Sequence, residues 1–111
     1  MIRSDTLLPQ LQALANPVRL WIVARLHQHG PHYVSELARA AGISRPLLKM
    51  HLRKLEDAQL VTSKTGTADN GKSANFFQIV SFDLPLTPAA IADTQAGSES
   101  PATRKDGDFD A

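Results

Sequence analysis

The chain has 111 residues, 42% of them hydrophobic and 21% charged, with no cysteine and a formal net charge of +1. That length suffices for one small domain and not for two, and the absence of cysteine excludes disulfides and thiolate metal sites. No apolar run approaches the about 20 residues that span a bilayer, and MIRSDTLLPQ lacks a signal-peptide core, so a cytoplasmic protein without membrane contact is expected.

The near-neutral total conceals a division. Residues 1–80 hold ten Lys or Arg against five Asp or Glu, whereas residues 81–111 hold only Arg104 and Lys105 against Asp83, Asp93, Glu99, Asp106, Asp108 and Asp110. A basic module at 1–92 followed by an acidic, disordered tail at 93–111 is expected, because DTQAGSESPATRKDGDFDA is too small and polar to bury a core.

Leu7, Leu8, Leu11 and Leu14 recur at helical spacing and predict a first helix over Thr6–Ala15, capped by Asp5 or Ser4, with Pro9 near its first turn. Asn16-Pro17 then reads as an N-cap followed by proline at the first helical position. Val18, Trp21, Ile22, Arg25 and Leu26 form one face of this second helix, and Gly30-Pro31 stops it. Tyr33-Val34 reads as a short extended link. Ser35–Gly42 is a third helix capped by Ser35, with Leu37, Ala38 and Ala41 turned inward.

The fourth helix, Ser44–Asp57, carries two stripes. Leu48, Leu52 and Leu55 lie on one narrow face, while Arg45, Lys49 and Arg53 lie beside it at i, i+4 and i+8. Charge stripes are usually solvated faces. Here the acidic residues are deferred to Glu56 and Asp57 at the C-terminal end, where the helix dipole disfavours them. The N-terminal part is therefore purely basic, which suits a helix laid in the major groove of DNA.

Leu60–Thr67 and Ala74–Phe82 read as strands joined across TADNGKS, with Asn70-Gly71 as the turn. Thr87-Pro88 could cap a short helix around Ala89–Ala92. The result is a mainly helical α+β domain with a two-stranded hairpin, in which Ser35–Gly42 and Ser44–Asp57 have helix-turn-helix spacing.

The stretches ALANPVRLWIVARL, VSELARAAGIS and LLKMHLRKLEDAQLV make the chain resemble winged helix-turn-helix repressors of the ArsR type over Leu7–Ile79. Asn16-Pro17-x-Arg19-Leu20 and the run from His51 to Val61 are the most specific parts. The resemblance implies a dimeric transcriptional repressor whose helix 44–57 reads operator DNA and whose wing, 62–76, touches the backbone. The expected DNA-facing residues are Ser44, Arg45, Leu47, Lys49, Met50, His51, Arg53, Lys54, Lys64 and Lys72. Arg45 and Lys49 would reach base edges and Arg53, Lys54, Lys64 and Lys72 phosphates, with Asn70, Thr65, Thr67 and Ser73 as small polar helpers. Leu7, Leu8, Leu11 and Leu14 would supply the apolar surface between two copies.

Two departures qualify the resemblance. Gln59 stands where relatives carry Gly to end the recognition helix in a left-handed conformation, and Leu47 and Met50 occupy positions that are usually polar. The cysteine pairs of the thiolate sensors are absent. His27, His29 and His32 could chelate zinc or nickel, but histidines at a helix C-terminus also suit the dipole, and no metal or other cofactor is expected. A small-molecule effector stays unknown.

Several residues have plain structural readings. His51, beside the leucine stripe, could hydrogen-bond locally rather than meet phosphate, and Trp21 reads as core with its indole N–H at the surface. Ser35 and Ser44 read as caps. No Ser/His/Asp set, phosphate-cradling glycine loop or buried carboxylate pair marks an enzyme. Lys64 and Lys72 on a hairpin could equally protect an edge strand. The competing function is a winged-helix protein-interaction module without DNA binding, which exposed Leu47 and Met50 would also fit.

Overall fold

The computed structural model describes residues 4–67, 70–84 and 86–97. The elements run α1 (Ser4–Leu14), α2 (Pro17–His29), β1 (His32–Tyr33), α3 (Val34–Ala41), α4 (Arg45–Asp57), β2 (Val61–Thr67), β3 (Ser73–Ile79) and α5 (Pro88–Thr94). Together they make a mainly helical α+β fold with a small antiparallel sheet.

Local chemistry sets most boundaries. The Asn16 Oδ1 accepts hydrogen bonds from the backbone N–H groups of Val18 and Arg19 at 2.9 and 3.1 Å, so α2 begins where the Asn-Pro pair places it. Gly30, at φ 79°, ends that helix as expected. Ser44 caps α4, its Oγ accepting from the Leu47 N–H at 3.2 Å. The first helix starts at Ser4, ahead of the expected Thr6, and Pro9 falls in the second turn. At the other end, α5 runs through Thr94 and a turn continues to Gly97. The remaining acidic tail, Pro85 and the wing-tip residues 68–69 lie outside the described residues.

Two helices end in the same way. Gly42 adopts φ 72° after α3, and its N–H and that of Ile43 donate to the carbonyls of Arg39 and Ala38. After α4, Gln59 adopts φ 64°, with its N–H donating to Glu56 C=O at 2.9 Å and the Leu60 N–H to Leu55 C=O at 3.0 Å. This pair of bonds is the Schellman arrangement, which satisfies the last carbonyls of a helix. Gln59 is the one non-glycine residue with positive φ among the described residues.

The short extended link expected at Tyr33-Val34 is instead a strand one residue earlier, His32–Tyr33, with Val34 already in α3. β1 pairs antiparallel with β3, His32 opposite Phe77 and Tyr33 opposite Phe76, so the sheet has three strands in the order β1-β3-β2. Helix α3 consequently starts one residue early: its N-cap is Tyr33, not Ser35, and the Glu36 carboxylate accepts from the Tyr33 N–H at 2.8 Å.

The core lies between the helices and the base of the sheet. Ile22, Leu26, Leu37, Leu48, Leu52, Leu55, Leu60 and Val61 are fully buried, joined by Val18, Trp21, Phe77 and Ile79 at the rim. Each such side chain contributes about 1.5–3 kcal/mol through burial. Leu48, Leu52 and Leu55 thus fix the azimuth of α4, which decides which of its residues face outward.

Candidate nucleic-acid interface

With its leucine stripe buried, α4 presents Arg45, Leu47, Lys49, Met50, Arg53 and Lys54 to solvent, and Ser44 is exposed at its start. Leu47 and Met50 are 42% and 41% exposed, large apolar groups set among cations.

The basic residues do not form one patch. Lys49 and Arg53 share a cleft of about 230 Å³ with Val34, Glu56, Asn75 and Phe77, at the seam between α4 and β3. Lys54 lies on the opposite flank of α4, in a cleft facing α1. Lys64 and Lys72 are exposed on the hairpin, beyond that seam.

His51 departs from the expected set. It is only 7% exposed, and its Nδ1 lies 3.1 Å from Arg19 Nη1. The side chain therefore faces the interior and cannot reach a phosphate. Since Arg always donates, Nδ1 is the acceptor and the ring carries its proton on Nε2. Burial, and next the cations Arg19 and Lys54, hold its pKa below the usual histidine value.

Arg19 explains this arrangement. Its Nε donates to the Ala13 carbonyl at 2.6 Å while Nη1 reaches His51, so one guanidinium joins the end of α1, the start of α2 and the inner side of α4. Arg19 was legible only as part of the Asn-Pro-x-Arg-Leu signature. Its burial was not, because a helical pattern does not predict an inward arginine.

The wing is held from below. The Tyr33 hydroxyl donates to the Thr67 carbonyl at 3.1 Å, and the Tyr33 ring meets Phe76 edge-on with centroids 5.9 Å apart. Phe76 in turn covers Gly66: a Cβ there would stand 2.7 Å from the ring. The Ser63 hydroxyl donates to Glu56 at 2.9 Å, tying β2 to the end of α4. Of the small polar wing residues, Thr65 donates to Asn75 and the Asn70 Oδ1 accepts from the Lys72 N–H, whereas Thr67 and Ser73 are simply exposed.

The four leucines of α1 also divide. Leu7 is buried within the chain and Leu11 and Leu14 are half-buried, which leaves Leu8, 51% exposed, as the outward group. Leu86 and Ile91, near and on α5, are exposed large hydrophobics that sequence reasoning did not single out. Trp21 packs at the core rim, with the Arg25 guanidinium carbon 5.9 Å from its ring centre. His32 hydrogen-bonds the Gly30 carbonyl at 2.7 Å. Among the described residues no group of three or more His, Cys, Asp or Glu side chains is placed to hold a metal ion, and no helix is long and apolar enough to cross a membrane.

A helix-turn-helix whose second helix carries cations on its outer face, followed by a β-hairpin braced against it, defines a winged helix-turn-helix protein. Comparison with known proteins agrees. Residues 14–64 match the helix-turn-helix domain family. An uncharacterized HTH-type transcriptional regulator of Methanocaldococcus jannaschii is 48% identical over 52 residues, covering 47% of this chain and 54% of the relative. An HTH-type transcriptional regulator of Mycobacterium tuberculosis is 49% identical over 53 residues, 48% of this chain and 49% of that one. The chain spans about half the length of these curated relatives. Among solved structures, a homodimeric winged helix-turn-helix DNA-binding domain from Mycobacterium bovis, described as a possible ArsR-family regulator, superposes with a TM-score of 0.58 at 27% identity. It covers 68% of this chain and 64% of its own. HlyU from Vibrio cholerae gives 0.59 at 25% identity, covering 84% and 88%. The chain carries a helix-turn-helix domain in a winged helix-turn-helix fold, and its structural neighbours include regulators of the ArsR family.

Proposed function

We propose that this protein is a sequence-specific DNA-binding repressor acting as a homodimer. The observation that carries the reading is the outer face of α4, where Arg45, Lys49 and Arg53 are exposed on a helix whose azimuth the buried leucines fix. Arg45 and Lys49 meet base edges, where bidentate or point contacts to guanine carry sequence information. Arg53, at the seam, and Lys64 and Lys72, on the wing, take phosphates, which position without specifying. Leu47 and Met50, exposed between them, suit thymine methyl groups. Lys54 stands apart, since its flank of α4 faces α1.

Support for a dimer comes from the homodimeric M. bovis neighbour and from the exposed Leu8, Leu86 and Ile91. The test is fluorescence anisotropy of a labelled duplex titrated with wild type and with the Lys49→Ala/Arg53→Ala double variant, at low and at physiological salt. Binding that weakens steeply between 50 and 200 mM salt and disappears in the double variant is the expected result. A salt-insensitive association, or none at low salt, would move the function to a protein-interaction module, for which Leu47 and Met50 would form the contact.

A further inference from the structure

We propose that the cleft between α1 and the C-terminal end of α4 is a binding site for a small organic carboxylate that also carries a hydrogen-bond donor, such as a hydroxy or amino acid. The cleft encloses about 310 Å³ and is lined by Pro9, Gln12 and Ala13 of α1, Arg19 of α2, and Lys54, Asp57 and Ala58 at the end of α4. That size falls at the lower end of small-molecule pockets.

The carrying observation is the state of Arg19. It is 9% exposed, yet its hydrogen-bond partners among the described residues are the Ala13 carbonyl and the His51 imidazole, and neither is charged. A buried cation without an anionic partner is costly, and the missing partner is what an anion in the cleft would supply. The guanidinium has capacity left. Nε and Nη1 are engaged, whereas Nη2 makes no hydrogen bond among the described residues and is not a sealed, partnerless atom as Arg25 Nε is. Lys54 brings a second cation to the same space.

Asp57 decides which anion. A carboxylate in the wall repels a dianion such as phosphate but accepts a hydrogen bond from a ligand hydroxyl or ammonium. Pro9, Ala13 and Ala58 leave short apolar walls suited to a small aliphatic body. A ligand so held has its carboxylate on Arg19 and Lys54 and its donor on Asp57 or Gln12. Because Arg19 also holds His51, occupancy acts on the inner side of α4; that coupling to DNA rests on the reading proposed above, whereas the binding site itself does not.

The test therefore uses the full, isotope-labelled chain without DNA, titrated at constant ionic strength with sodium L-lactate, sodium acetate and inorganic phosphate and followed by amide NMR. The expected result is saturable lactate shifts centred on Ala13, Arg19, Asp57 and Ala58, weaker saturation with acetate, and none with phosphate. Lys54→Gln, a surface change that spares the fold, should weaken lactate binding about threefold to fivefold, the worth of one exposed charge pair. Asp57→Asn should abolish the preference of lactate over acetate and admit phosphate. Lactate shifts that do not saturate, or that centre on Arg45, Lys49 and Lys64, would overturn the site, as would phosphate binding at the cleft in wild type.

Discussion

Arg19 of α2 and His51 of α4 share a buried hydrogen bond of 3.1 Å, from the Nη1 donor to the Nδ1 acceptor, although 32 positions separate them in sequence. The bond exists only while the imidazole is neutral. Its folded-state pKa is lowered by burial and then by Arg19 and Lys54. The unfolded chain therefore takes up the proton first as pH falls, so the stability is present above the ordinary histidine pKa near 6.5 and is lost as pH drops toward the lowered folded value.

The expected outcome is a melting temperature that falls between pH 7.5 and 5.5. His51→Asn, whose Oδ1 can replace the Nδ1 acceptor, should show a shallower fall. The two proteins differ at this position alone, so the difference between the two profiles isolates His51. Identical profiles would show that this bond has no part in the pH response.

Gln59→Gly should raise stability by a few tenths to about 1 kcal/mol, because glycine removes the Cβ penalty at φ 64° and returns part of the gain through a freer unfolded chain. Urea denaturation checks it. A lowered midpoint with unchanged slope would mean that the Gln59 side chain contributes more than its backbone strain costs.

Gly66→Ala should loosen the wing. The new methyl meets Phe76 at 2.7 Å, so the ring must leave Gly66 and with it the edge-on contact to Tyr33, at a cost of about 1–2 kcal/mol. Shifted Phe76 and Tyr33 ring resonances with unmoved α2 amides are the expected NMR signature; unmoved rings would refute the packing role.

Arg45→Ala and Lys64→Ala should separate on DNA. The first should relax discrimination between specific and random duplexes by about 1–3 kcal/mol, and the second should weaken both alike while reducing the salt slope by about one. Equal effects of the two on both duplexes would dissolve the division between base and backbone contacts.

Leu8→Glu tests the second copy. A charge on this exposed face of α1 should shift the sedimentation mass from dimer to monomer at tens of micromolar while leaving the fold intact by circular dichroism. Wild type sedimenting as a monomer would remove the dimer from the proposal.

What could be read from sequence followed strict local rules. The Asn-Pro start of α2, the leucine stripe of α4 and Gly71 at positive φ in the turn follow from backbone geometry within a few residues, whereas the left-handed Gln59 was legible only through the resemblance, as the position where relatives carry Gly. What escaped depends on partners far along the chain. The two residues of β1 are a strand only because β3 arrives beside them, and Tyr33 becomes the start of α3 through the same pairing. His51 read as a DNA-facing or locally hydrogen-bonded position and Arg19 only as part of the Asn-Pro-x-Arg-Leu signature, whereas their burial rests on a contact between residues far apart in sequence. Leu7 was indistinguishable from Leu8 by type, and the packing of α1 alone separates them.

The bracing of the wing has a mechanical consequence. Tyr33 anchors the hairpin at Thr67 and Phe76, and Ser63 anchors it at Glu56, so α4 and the hairpin belong to one stiff jaw. On the reading proposed above, such a jaw acts as a calliper set to one opening. It would measure groove width as well as letters, favouring duplexes whose backbone already stands at that spacing and charging the rest for bending to fit.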